Sequence, residues 1–143
     1  MKETFPKSSV MIMADMVGYA DGGVVSKQVL KNDAGNITLF SFDEGQGLSE
    51  HTAPFDALVQ NLEGEVEIVL AGQPLRLKRG ESVIMPAGMK HSLRAVTRFK
   101  MLLTMIRDYP TFDAVGAILF RIRKEPDTKK GGFVLAVWIG WKW

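Results

Sequence analysis

From about residue 24 to residue 106 the chain alternates apolar and polar side chains with a period of two, and glycine or proline interrupts the alternation at short, even intervals. That period belongs to the β-strand, whose successive side chains point to opposite faces. "NITLFSFD" (36–43), "DALVQNL" (56–62), "ESVIMP" (81–86), "HSLRAV" (91–96) and "RFKMLLTMI" (98–106) each read as a short strand. "EVEIVLAGQPLRL" (65–77) alternates, turns at Ala71-Gly72 and alternates again, the signature of a hairpin. Punctuation falls at Gly45, Gly47, Gly64, Gly72, Gly80 and Gly88, and no amphipathic helix interrupts the pattern. Short strands at such spacing predict an all-β sandwich or barrel. Pro86 has no N–H to give to a ladder, so it belongs at a strand end or edge.

Length and composition narrow the partners. The 143 residues are one domain's worth, and the absence of cysteine removes disulfides, thiolate metal sites and cysteine nucleophiles. Residues 1–107 carry twelve Lys and Arg against twelve Asp and Glu, while residues 108–143 carry six against four and all three tryptophans. A body of zero net charge lacks the cationic footprint of a nucleic-acid binder. The longest apolar run, "FVLAVWIGW" (133–141), is about half of a membrane span. "VMIMADMV" near the N-terminus is broken by Asp15 and has no small-residue cleavage site, so no signal peptide and no membrane are expected, and the location expected is cytoplasmic. The divisions predicted are an N-terminal arm at 1–23, the barrel at 24–107 and a C-terminal extension at 108–143. Within the extension, "AVGAILFRIRK" reads as helix or strand and "EPDTKKGG" as a linker.

Two segments carry chemistry. "GQGLSEHTAPFDALVQNLEG" ends at Gly64, and "GESVIMPAGMKHSLRA" places Gly80, Pro86, Gly88 and His91 at gaps of five, one and two residues. Together they resemble the paired motifs of the cupin superfamily, closest to its small single-domain bacterial members. The first motif there runs glycine, His-x-His, an acidic residue and a glycine; the second runs Gly-x5-Pro-x-Gly-x2-His. The resemblance covers residues 24–107 and implies an antiparallel jelly-roll β-barrel with its site inside. It also implies that residues 51, 53, 57 and 91 are the positions where three histidines and a carboxylate would hold a divalent Fe, Mn, Ni, Cu or Zn ion.

Here Ala53 and Ala57 stand where the second histidine and the acidic residue belong, leaving His51 and His91, the chain's two histidines. Asp56 is one residue short of the acidic position. A regular strand turns it to the opposite face, whereas a bulge at Pro54 would bring it in and complete a set of two histidines and one carboxylate. The expectation is that His51 and His91 face one another. Ala53 and Ala57 should enlarge a pocket whose wall includes Val59, Met85 and Met101, so that the protein binds a small molecule through the two imidazoles. The alternative is a metal-dependent enzyme, isomerase, dioxygenase or decarboxylase-like, using His51, His91 and Asp56. Arm exchange or sheet-edge pairing would cover the open edges in a homodimer.

Overall fold

The computed structural model describes residues 5–107, 121–126 and 133–138. The alternating segments all form strands: β1 (Val24–Asn32), β2 (Gly35–Phe42), β3 (Gly47–His51), β4 (Phe55–Glu63), β5 (Val66–Leu70), β6 (Gln73–Leu77), β7 (Ser82–Met85), β8 (His91–Ala95) and β9 (Phe99–Arg107). They pair antiparallel in two sheets, one ordered β1-β2-β9-β4-β7 and the other β3-β8-β5-β6. The result is an antiparallel jelly roll.

One face of each sheet turns toward the other, and the alternation decides which residues lie there. Phe42, Val59, Phe99, Met101 and Leu103 from the first sheet meet Val66, Ile68, Leu77, Leu93 and Ala95 from the second in one buried cluster. Phe42 stacks on Phe40 and on Phe99, with ring centroids 5.8 and 5.6 Å apart. Burying such aliphatic and aromatic side chains stabilises by about 1.5–3 kcal/mol each, so this cluster is the main source of stability.

The turns hold the strands in register. β5 and β6 are joined through Ala71 and Gly72, both at positive φ (46° and 81°), the backbone of a two-residue hairpin turn. Gly64, which closes the first motif, has φ +78°, and a Cβ there would sit 1.8 Å from the Arg98 carbonyl oxygen. Beside it the buried Asn61 donates from Nδ2 to the carbonyls of Gly64 (2.9 Å) and Leu77 (3.1 Å), tying the turn to β6.

The arm lies on its own chain. After a single 3-10 turn at Met13–Met16, it crosses the outer face of the five-stranded sheet. Lys27 donates to Met16 O (3.0 Å), Ser41 to Gly18 O (2.7 Å) and the buried Lys100 to Ala14 O (2.7 Å), so β1, β2 and β9 each hold one arm carbonyl. Leu39 and Val17 are buried there. Tyr19 donates to the Glu63 carboxylate and lies against the Lys100 and Arg98 cations; burial first, then Glu63, pushes its phenol well above the ordinary tyrosine range. The Asp43 carboxylate accepts from Gly22 N–H and from Arg98, and these hydrogen bonds, the Gly22 amide foremost, hold it below the usual carboxylate range.

Residues Met1–Tyr109 form one compact unit and Pro110–Trp143 a second. In the second, β10 (Arg121–Pro126) pairs antiparallel with β11 (Phe133–Trp138) from Arg121↔Trp138 to Pro126↔Phe133. The strand reading of "FRIRK" therefore holds for residues 121–124. The rest of "AVGAILFRIRK", most of "EPDTKKGG", and Trp141 and Trp143 lie outside the described residues.

Gly64→Ala is expected to cost about 3 kcal/mol or more, a left-handed penalty plus a backbone clash, whereas Gly72→Ala, with open space around it, should cost only about 1–2 kcal/mol. Urea denaturation of both variants checks the contrast; equal losses would contradict it. Because the folded Asp43 carboxyl is lowered, its stabilisation is present above the ordinary carboxylate value and is lost as pH falls through the folded value. Asp43→Asn should therefore be less stable than wild type at neutral pH and lose less on acidification. Parallel stability curves for the two proteins from pH 7 to pH 3 would contradict it.

Candidate functional site

His51 faces the cavity between the sheets because β3 contains one extra residue. Leu48 pairs with Leu93 and His51 with His91, so β3 advances three residues while β8 advances two. In an uninterrupted strand Leu48 and Glu50 would share a face. The bulge at Ser49-Glu50 instead puts Leu48 and His51 on the inner side and leaves Glu50 exposed. The sequence suggested a bulge at Pro54 only as the alternative to a regular strand; the irregularity lies before His51, and two consecutive polar residues give no signal for it.

The histidines therefore meet as cross-strand neighbours in one sheet. Their ring centroids are 4.4 Å apart, edge to face at 65°. His91 is buried and His51 exposed. Each ring is oriented by the main chain two residues earlier: His51 Nδ1 lies 2.6 Å from Ser49 O, and His91 Nδ1 lies 2.9 Å from Met89 O. A carbonyl oxygen can only accept, so each Nδ1 carries a proton, and in the neutral ring each Nε2 keeps its lone pair. In both rings Nε2 is the nitrogen left for a group in the cavity.

The cavity beside them is lined by Leu48, Ala53, Ala57, Met85, Leu93, Met101, Leu103 and Met105 together with the two histidines. Its volume is about 40 Å³, room for a few water molecules or one small polar group, against the hundreds of Å³ of a site that engulfs a whole organic ligand. The cavity beside the two alanines is therefore small, and Met85, Met101 and Met105 line it with them. Val59 is fully buried in the core and does not line the cavity. The hollows of about 350 Å³ (Glu44, Glu67, Arg76, Arg94) and about 330 Å³ (Leu30, Ile37, Ile106) include neither histidine among their lining residues.

Asp56 does not join the histidines. β4 pairs with β9 in unbroken register from Phe55↔Arg107 to Asn61↔Met101, because Pro54 precedes the strand and shifts nothing. Alternation then turns Ala57 inward and Asp56 out, where Asp56 Oδ1 accepts from Ala87 N (2.8 Å). Next to it, Gly88 N donates to Ala53 O (2.8 Å). The Pro86-Ala87-Gly88 loop of the second motif is thus bonded to the loop of the first, and Gly88, at φ +75°, has the backbone that aims its N–H there.

This donor set does not fit a resident metal ion. Two imidazoles fall short of the three protein ligands of a catalytic zinc site and the four of a structural one. Ala53 and Ala57 offer no donor atom. Among the described residues no group of three or more His, Cys, Asp or Glu stands close enough to hold an ion. The pair can instead accept two hydrogen bonds from a donor in the cavity. Among the described residues no helix is long and apolar enough to cross a membrane.

Heteronuclear NMR of the imidazole nitrogens tests the tautomer assignment: both rings are expected as the Nδ1–H form, with an unprotonated Nε2, at a pH where they are neutral. An Nε2–H form at either ring would overturn it.

A model of the cupin domain matches residues 38–107. None of the curated proteins matches the chain. Among solved structures, a conserved protein of unknown function from Streptococcus pyogenes is 30% identical with a TM-score of 0.72, over 76% of this chain and 95% of that one. A cupin 2 conserved barrel domain protein from Leptotrichia buccalis is 38% identical with a TM-score of 0.64, over 66% of this chain and 46% of that one. An RmlC-like cupin protein from Desulfovibrio desulfuricans is 31% identical with a TM-score of 0.60, over 71% of this chain and 96% of that one.

Proposed function

The chain belongs to the cupin family, and from that premise we propose that it is a small-molecule-binding barrel, acting as a homodimer, that recognises its ligand through the Nε2 atoms of His51 and His91. The observation that carries this reading is the pair of imidazoles at the cavity, each with Nδ1 held by a main-chain carbonyl. Two neighbouring lone pairs call for a hydroxyl or amino donor, and ring orientations fixed in advance lower the entropic cost of binding one. The methionine wall supplies unbranched, polarisable contact for the carbon skeleton next to that donor.

The metal-dependent alternative needs a third ligand, and the one carboxylate offered for that place, Asp56, is engaged by the Ala87 amide. Support for the homodimer comes from the outer face of the five-stranded sheet. There Leu30, Ile37, Thr104, Leu58 and Ile84 form one row across all five strands, and Leu30, Ile84 and the neighbouring Ile106 are exposed. A mostly apolar row of that length on the outside of a barrel is a surface that a second copy would cover.

Native mass spectrometry of protein purified without added metal tests the reading. The expected spectrum has the mass of a dimer with a co-purified organic ligand and substoichiometric Fe, Mn, Ni, Cu and Zn. A variant carrying both His51→Gln and His91→Gln should lose the ligand and keep the dimer. Stoichiometric metal that disappears in His51→Ala would overturn the binding reading, and a monomer mass would remove the homodimer from it.

A further inference from the structure

Beyond the histidine cavity the inner face of the five-stranded sheet continues to a rim of different chemistry. Lys31 pairs with Asn36, Asn36 with Met105, Met105 with Ala57 and Ala57 with Met85. One ladder row thus runs from a cation on β1, through an amide, to residues that line the histidine cavity. A second hollow, of about 20 Å³, opens at this rim between Lys31, Asn32, Asn36, Phe55, Met105 and Arg107. Met105 lines both hollows and so lies where the two adjoin.

The rim carries positive charge. Arg107 lies on the inward-facing set of β9 and rests its guanidinium over the Phe55 ring, 5.6 Å from the centroid. Among the described residues neither Arg107 nor Lys31 enters a salt bridge. The carboxylate nearest along β4, Asp56, is on the opposite face and bonded to Ala87. Asn32 Oδ1 accepts from Ala34 N (2.8 Å), which leaves its amide N–H₂ as a donor at the same rim. Close approach of β2 to β9 brings these groups together: a Cβ on Gly35 would lie 2.0 Å from Met105 O.

We propose that Lys31, Asn36 and Arg107 form an anion subsite, and that the ligand is a short hydroxy acid. Its carboxylate sits between Arg107 and Lys31, its carbon chain crosses Met105, and its hydroxyl donates to Nε2 of His51 or His91. This rests on the histidine cavity being a small-molecule site. The guanidinium fork suits a carboxylate, and Lys31 adds a point charge from the other side. With strands about 4.8 Å apart, Lys31 stands two strands from Met105 and three from Ala57, so a chain of roughly four to six carbons spans the two hollows once the lysine folds back over the rim. The small volume at the histidines admits the hydroxyl end alone; the carboxylate stays at the rim.

The test is an NMR titration of the whole chain with 4-hydroxybutanoate and 6-hydroxyhexanoate, against the neutral 1,4-butanediol and 1,6-hexanediol, and with inorganic phosphate. The acids are expected to move the backbone amides of Lys31 and Arg107 together with the ring protons of both histidines, and to bind about tenfold or more tighter than the diols. Lys31→Gln and Arg107→Gln should each bring acid binding down toward that of the diol while leaving diol binding unchanged, and Arg107→Lys should retain part of it. Both positions are exposed, so the variants should keep the wild-type fold, which their amide spectra verify. Equal binding of acids and diols, or acid binding unaltered by Arg107→Gln, overturns the subsite. Acids that move Lys31 and Arg107 but leave the histidine rings unmoved overturn the histidine reading and keep the rim as an anion site. Phosphate binding at the rim as tightly as the hydroxy acids overturns the assignment of a carboxylate.

Discussion

The turn of the His51 imidazole toward His91 depends on one extra residue in β3. Without it the strand would offer Glu50 to His91, and a carboxylate would stand where an aromatic base now does. Ser49 has no partner in the register of β3 with β8, and its oxygen is the one that orients the His51 ring. Bulge, ring orientation and proton position are therefore one structural event, and His91 repeats its last step with a carbonyl just ahead of its own strand.

Around this pair the two motif loops act as one piece. Ala87 N and Gly88 N donate to Asp56 and Ala53, across the gap between β3–β4 and β7–β8. Asp56 thus has a holding role: it fixes the loop whose far end delivers His91. The turn that closes the first motif is fastened by Asn61 and by the close passage of Gly64 against Arg98. On the other face of the sheet, three side chains from three strands hold the arm. In this chain the arm is cover for the outer face, where Leu39 would otherwise meet water.

Strand positions were legible in the sequence because burial on one face imposes a period of two, and turns were legible because positive φ selects glycine. The Ala71-Gly72 hairpin was found on those grounds alone. The bulge in β3 was not, since an extra Ser or Glu in an exposed strand leaves no compositional trace. Proline drew attention to residue 54, but a proline that precedes a strand disturbs no ladder. Residues 53 and 57 were read as room for a ligand against a wall that included Met85 and Met101, and those methionines do line the cavity; its small size was not legible, because it depends on how strands far apart in sequence pack together. Val59 was counted with the site because it shares a face with Ala57; one pleat deeper, that face is already solid core. Lys31 and Arg107 escaped notice for a similar reason, since the pairing that brings β1 and β9 to either side of β2 is a property of the topology.

The three thioethers at the histidine cavity make its size a matter of torsion angles. Each methionine turns about three single bonds, and none is branched at Cβ, so rotation can retract a wall while every strand keeps its hydrogen bonds. A rigid lining of valine or isoleucine would admit one molecular outline and refuse the rest. Under the proposed reading, swivelling sulfur arms would let the barrel fit itself around guests of unequal length, so that the charged rim and the paired imidazoles, rather than the shape of the void, would choose among them.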